Sequence, residues 1–209
     1  MKTYLTQPDK IEAQSMEIIA QGMEAHAFDE RALQVVKRTI HATGDFDYQR
    51  IVAIKPGAIE AGMEAIRSGC RIVTDTRMAY SGINKRALEK AACQIECYIA
   101  HDEVFKAAKD QGITRSMAAI DLAAKEGVDI FVIGNAPTAL YRLGELIEQT
   151  KIAPELIIGV PVGFVGAAES KDYIRQVNIP SITTIGTKGG SNVAAAIMNA
   201  IIYMAVGKA

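Results

Sequence analysis

The chain has 209 residues, 49% of them hydrophobic, which is enough to bury a full core within one domain spanning 1–209. Its 23 basic and 24 acidic residues nearly cancel, and no Lys/Arg block occurs, which argues against a general nucleic-acid or acidic-surface binder but leaves room for a local basic pocket. The N-terminal stretch lacks the apolar core of a secretory segment, and no run is apolar for the roughly 18 residues a membrane span needs, so the reading is a cytoplasmic protein.

Along the chain, residues 9–24 place Ile11, Ile18, Ile19 and Met23 at helical spacing behind Asp9 as a capping residue, with Ser15 beside the apolar stripe. A second helix starts at Asp29, aligns Leu33, Val36 and Ile40, and stops at Thr43-Gly44-Asp45, presenting Lys37, Arg38 and His41 in its last turns. Alternation follows: a strand at 51–54, a turn at Pro56-Gly57, a helix over 58–68, and a strand at 71–74. A polar loop is expected over 75–82, then a short helix around 84–91, a strand at 95–99, and helices over 102–110 and 114–126. Asp129-Ile-Phe-Val-Ile133 reads as a strand that turns through Gly134-Asn-Ala-Pro137 into a helix from 138 to about 149. Strands at 156–160 and 181–185 frame another helix, and a long helix over 192–206 is apolar nearly all round, which predicts burial in the fold or in a subunit contact.

Strands alternating with helices call for a three-layer α/β fold: a mostly parallel sheet of five or six strands, helices on both faces, and an N-terminal helical segment. In such a sheet, ligands bind in the crevice beyond the carboxyl ends of the strands. Three glycine-rich junctions fall there, at 134–138, 159–170 and 186–191. None fits the dinucleotide or Walker phosphate spacing, but such turns let a ligand approach the backbone, and the three together favour a site. His41 is the histidine whose helix-end position suits proton transfer. Arg38, Arg77, Arg115, Lys171 and Lys188 sit at element ends. If several converge they suit a ligand with more than one carboxylate, although each alone reads as a solvated charge. The three cysteines read as buried, reduced thiols, and Cys93 and Cys97 have no third ligand at metal spacing. Hydrolase signatures are absent from the sequence.

Arg38-Thr-Ile-His-Ala-Thr-Gly-Asp45, Asp75-Thr-Arg-Met78, Gly134-Asn-Ala-Pro-Thr-Ala-Leu140, Pro161 to Lys171 and Gly186 to Ala196 together resemble the precorrin-8X methylmutase family, also called cobalt-precorrin-8 methylmutases. The resemblance runs in order over essentially the whole chain. It implies an isomerase of cobalamin biosynthesis that moves a methyl group from C11 to C12 of a corrin-type macrocycle, forming hydrogenobyrinate or its cobalt counterpart, with no cofactor and no metal site. It further implies that His41 is the acid, that Ser15, Arg38, Thr76, Arg115 and Ser116 contact the tetrapyrrole substrate, and that the protein is a homodimer. The rival readings are a nucleotide- or S-adenosylmethionine-dependent enzyme using the same crevice, and a non-catalytic tetrapyrrole carrier.

Overall fold

The computed structural model describes residues 4–208. Two helices, α1 (Pro8–Gly22) and α2 (Glu30–Thr43), precede the alternating part. In α1 the cap is Gln7 rather than the expected Asp9; Pro8 takes the first helical position, where its missing N–H costs nothing, and Asp9 follows in the first turn. Asp29 caps α2 as expected, its carboxylate accepting from the Ala32 N–H, and Gly44 closes the helix in the left-handed conformation at φ 66°. The single turn α3 (Tyr48–Ile51) then leads into β1 (Val52–Ile54), so the first strand is shorter than predicted.

The remaining order is α4 (Ala58–Arg67), β2 (Arg71–Thr74), α5 (Arg77–Gly82), α6 (Lys85–Lys90), β3 (Gln94–Glu96), a 3-10 turn (Tyr98–Ala100), α7 (Asp102–Gln111), α8 (Arg115–Ala123), β4 (Ile130–Ile133), α9 (Pro137–Glu148), β5 (Leu156–Gly159), α10 (Ala167–Gln176), β6 (Ser181–Thr184) and α11 (Ser191–Val206). The main departure is α5, which lies in the stretch predicted to be a polar loop. Its N-terminus is fixed by Thr76, whose hydroxyl accepts from the Ala79 N–H.

The six strands lie in the order β1-β6-β5-β4-β2-β3, parallel except for β1, which pairs antiparallel with β6 at one edge. The strand residues alternate faces as the pleat requires. Ile130, Val132, Ile158 and Ile182 pack with α2, α4 and α11 on one side, while Phe131, Ile133 and Ile157 pack with residues of α8, α9 and α10 on the other. Helix α11 carries ten buried residues, Ser191 to Ile202, and packs against α2, α4 and α5, as its uniform apolarity predicts. Among the described residues, no helix is long and apolar enough to cross a membrane.

Candidate functional site

After β2 the chain moves outward to β3; from β4 it moves the other way through β5 to β6. The carboxyl ends of β2 and β4 therefore border the topological switch point, where an open α/β sheet leaves a crevice. The first glycine junction lies there, and its backbone donors are already taken. Asp75, directly after β2, accepts from Gly134 N through one oxygen at 2.9 Å, and from Asn135 N and Ala136 N through the other at 2.8 and 2.9 Å. Burial pushes the Asp75 carboxyl above its ordinary pKa, while the three N–H donors pull it back toward the ionised form. The donors of Gly134, Asn135 and Ala136 are thus not free for a ligand at this junction, which the sequence left open to one. The clue in the sequence was an acidic residue ending one strand while a Gly-Asn-Ala-Pro turn ends its neighbour.

Thr76 ties this corner to the last helix: besides capping α5, its hydroxyl lies 2.8 Å from that of Ser191, the first residue of α11. The second and third glycine junctions pack on each other. Gly190 N donates to Val160 O at 2.9 Å and Gly163 N to Thr187 O at 3.1 Å, and a Cβ on Gly189 would stand 2.1 Å from Val160 O. Lys171 fastens this loop from below. It is fully buried rather than solvated as its type suggested, and its ammonium donates to Lys188 O at 2.9 Å and Thr184 Oγ1 at 3.1 Å. Burial, with Arg175 nearby, pulls its pKa down to about 8.

The Lys188 side chain reaches the other way, to Asp45 at 2.6 Å and Asp47 at 2.8 Å, just past the end of α2. Hydrogen bonds from Lys188 hold the Asp45 carboxyl below its usual range. The third junction is thereby joined to the helix end that carries His41, and Asn192 Nδ2 reaches Ala42 O there at 3.5 Å. His41 is exposed and lines an open cleft of about 190 Å³ with Ser15, Ile18, Ile19, Ile40, Gly44 and Phe46. Ser15 donates to Ile11 O at 2.8 Å, so its oxygen still has acceptor capacity.

Residues 10–204 match the model of the precorrin-8X methylmutase family. The chain belongs to that family. It is 46% identical over 207 residues to the cobalt-precorrin-8 methylmutase of Salmonella typhimurium, covering 96% of this chain and 97% of that one. A second cobalt-precorrin-8 methylmutase, from Priestia megaterium, is 43% identical over 98% of this chain and 91% of its own. Among solved structures, a precorrin-8X methylmutase from Thermus thermophilus superimposes with a TM-score of 0.88 at 38% identity, covering 95% of this chain and 96% of that one.

Set against this methylmutase frame, the residues singled out in the sequence divide into three groups. Ser15 and His41 share one cleft. Arg38, one turn earlier on α2, lies in a neighbouring cleft of about 460 Å³ with Glu12, Lys37, Tyr203 and Lys208. There it is paired with Glu12 at 2.8 Å, its guanidinium 5.0 Å from the centre of the Tyr203 ring. Hydrogen bonds from Lys208 and Arg38 pull the Glu12 pKa down to about 2. Arg115 and Ser116 open α8 on the far face of the sheet, with Arg115 stacked 4.8 Å from the Phe105 ring centre. They reach the carboxyl edge through Thr114, whose hydroxyl lies 3.0 Å from that of Thr138 at the start of α9. Thr76 lines neither cleft and is held at the end of β2 by Ser191 and the Ala79 N–H. The residues are thus spread over both faces of the sheet rather than gathered in one compact pocket.

Proposed function

We propose that His41 protonates the macrocycle in the methylmutase reaction, so that the C11 methyl group migrates to C12 and the accompanying tautomer shift follows. The chain is a methylmutase, an isomerase of cobalamin biosynthesis. Such a rearrangement conserves every atom of the substrate, and the protein's task is to place one acid against the ring and hold the rest still. The observation that carries the reading is the position of His41: exposed at the end of α2, in an open cleft with Ser15, and backed by a loop that Lys188 ties to the same helix end.

A tetrapyrrole is much larger than the His41 cleft, so it extends along the carboxyl edge, where Thr76, Arg115 and Ser116 are its further contacts. Arg38 takes a substrate carboxylate by exchanging its pairing with Glu12, which holds the guanidinium oriented until then. Phe164 and Val165, at the tip of the second glycine loop, are 92% and 90% exposed. Two adjacent apolar side chains held in water beside the site are the contact of a homodimer in which the partner covers the open edge. The balance of charge and the reduced cysteines suit the cytoplasm.

The relatives at 46% and 43% identity are named for a cobalt-containing substrate, so cobalt-precorrin-8 is the first substrate to assay, with the metal-free ring as the comparison. Conversion is followed by the visible spectrum. His41→Asn is expected to lose turnover by roughly 10² to 10⁴ while equilibrium binding changes far less. Near-normal turnover in that variant would remove His41 from the reaction; normal single-turnover rate with lost binding would make it a substrate ligand only.

A further inference from the structure

At the opposite end of the sheet from His41, the amino ends of β2 and β3 bring two thiols together. Arg71 is in register with Gln94 in this parallel pair, and Gln94 N donates to Cys70 O at 3.0 Å. Cys70 and Cys93, one residue earlier on each strand, are therefore direct neighbours across the ladder and point to the same face. Their Sγ atoms are 3.7 Å apart. Adjacent strands run ~4.8 Å apart, which falls within the ~4.4–6.8 Å between Cα atoms that a disulfide tolerates. Closing the bond thus calls for rotation of the side chains rather than movement of the strands.

The two sulfurs differ in access. Cys70 is buried, whereas Cys93 is half-buried, its Sγ donating to Ile66 O at 3.2 Å. We infer that Cys70 and Cys93 form a reversible disulfide clamp between β2 and β3, made by exchange with a small disulfide of the glutathione class. The exchange balances in two steps. Cys93, as thiolate, attacks one sulfur of the small disulfide, forming a mixed disulfide and expelling a glutathione thiolate, which takes up the proton that Cys93 released. Cys70 then attacks Cys93 Sγ, closing the protein disulfide and expelling the second glutathione thiolate, which takes up the Cys70 proton. The protein loses two electrons, and the small disulfide gains them. The greater exposure of Cys93 favours this order of attack, and the hydrogen bond from the Cys70 thiol works the same way by lowering the Cys93 pKa.

The clamp fastens β3, the edge strand, to the sheet. It closes a loop containing α5 and α6, and a loop of this size restricts the unfolded chain enough to raise the melting temperature by roughly 5–10 °C. Cys97, also buried, lies beyond β3 and is not part of the pair.

The test uses the full chain, reduced and then incubated with oxidised glutathione. Free thiols should fall from three to one, peptide mapping should recover Cys70 joined to Cys93, and the melting temperature should rise and return with dithiothreitol. Cys93→Ser should abolish all three changes and Cys97→Ser should leave them intact. Persistence of three thiols, glutathione retained as a stable adduct, a bond involving Cys97, or an unchanged melting temperature after cross-linking would each overturn the inference.

Discussion

Replacing Asp75 tests the claim that the switch-point crevice is plugged from within. In Asp75→Ala, three backbone donors lose their acceptor, and two of these, on Gly134 and Ala136, are buried. An orphaned buried donor costs about 1–3 kcal/mol, giving about 2–6 kcal/mol for the pair. Part of that is offset, because the wild-type protein bears the cost of burying a carboxylate, seen in the upward push on its pKa. A net loss of about 2–4 kcal/mol is expected, a large share of the ~5–15 kcal/mol that holds a domain together. Asp75→Asn separates hydrogen bonding from space filling. Its carbonyl can serve the Asn135 and Ala136 donors, while its NH₂ faces Gly134 N–H, so the expected loss is about 1–2 kcal/mol. Equilibrium unfolding in urea, at one protein concentration, reads both values as shifts in midpoint at constant slope. Variants that both lie within about 0.5 kcal/mol of wild type, or an Asn as damaging as Ala, would show that Asp75 does not hold this turn.

Glu12 has its pKa lowered to about 2 by hydrogen bonds from Lys208 and Arg38, so its contribution is fully present above the ordinary value of 4.5 and is lost as pH falls toward 2. Because the Arg38–Glu12 pair is only part-buried and solvent still screens it, the contribution is on the order of 1 kcal/mol; Glu12→Gln should flatten stability across that window alone, as urea midpoints at several pH values will show. Gly189→Ala forces a methyl group onto Val160 O, with a backbone atom rather than a yielding side chain in the way, and should cost about 1–3 kcal/mol by thermal unfolding while also lowering turnover through the displaced Lys188. Phe164→Asp tests the proposed homodimer: light scattering should give a dimer for the wild type and monomers for the variant, with unchanged circular dichroism, and a variant that stays dimeric would take the apolar loop tip out of the contact.

The layered α/β fold was legible because its signals are local. Short β-branched runs, such as Ile130 to Ile133, alternate with helical stripes, and the fully apolar α11 announces its own burial. What escaped depends on partners distant in sequence. Helix α5 is only six residues long and offers little periodicity; its cap, Thr76, is fixed in part by Ser191, more than a hundred residues away. Lys171 reads as a surface charge until the fold sets Thr184 and the Lys188 carbonyl around its ammonium. The edge strand β1 gives no hint of its antiparallel pairing with β6, since pattern records which face is buried and not strand direction. In the candidate site, the helix-end position was enough to single out His41, and the family resemblance added Ser15, but neither told that Arg38, one turn away from His41, turns into another cleft with Glu12. Residues three apart share a helix face, so the separation comes from Arg38's partners, Glu12 on α1 and the Tyr203 ring on α11, which draw its long side chain away from His41.

The Asp75 carboxylate also acts as a tethered competitor. Three converging N–H groups at the end of a parallel strand make a nest that binds phosphate in many enzymes of this architecture. Here a covalently attached anion sits in it, presented at an effective concentration no free ligand reaches without displacing a side chain that never diffuses away. A variant that removes the carboxylate would therefore vacate an anion site as well as loosen a turn, and Asp75→Ala or Asp75→Gly is the natural starting point for asking whether this scaffold can be taught to hold inorganic phosphate.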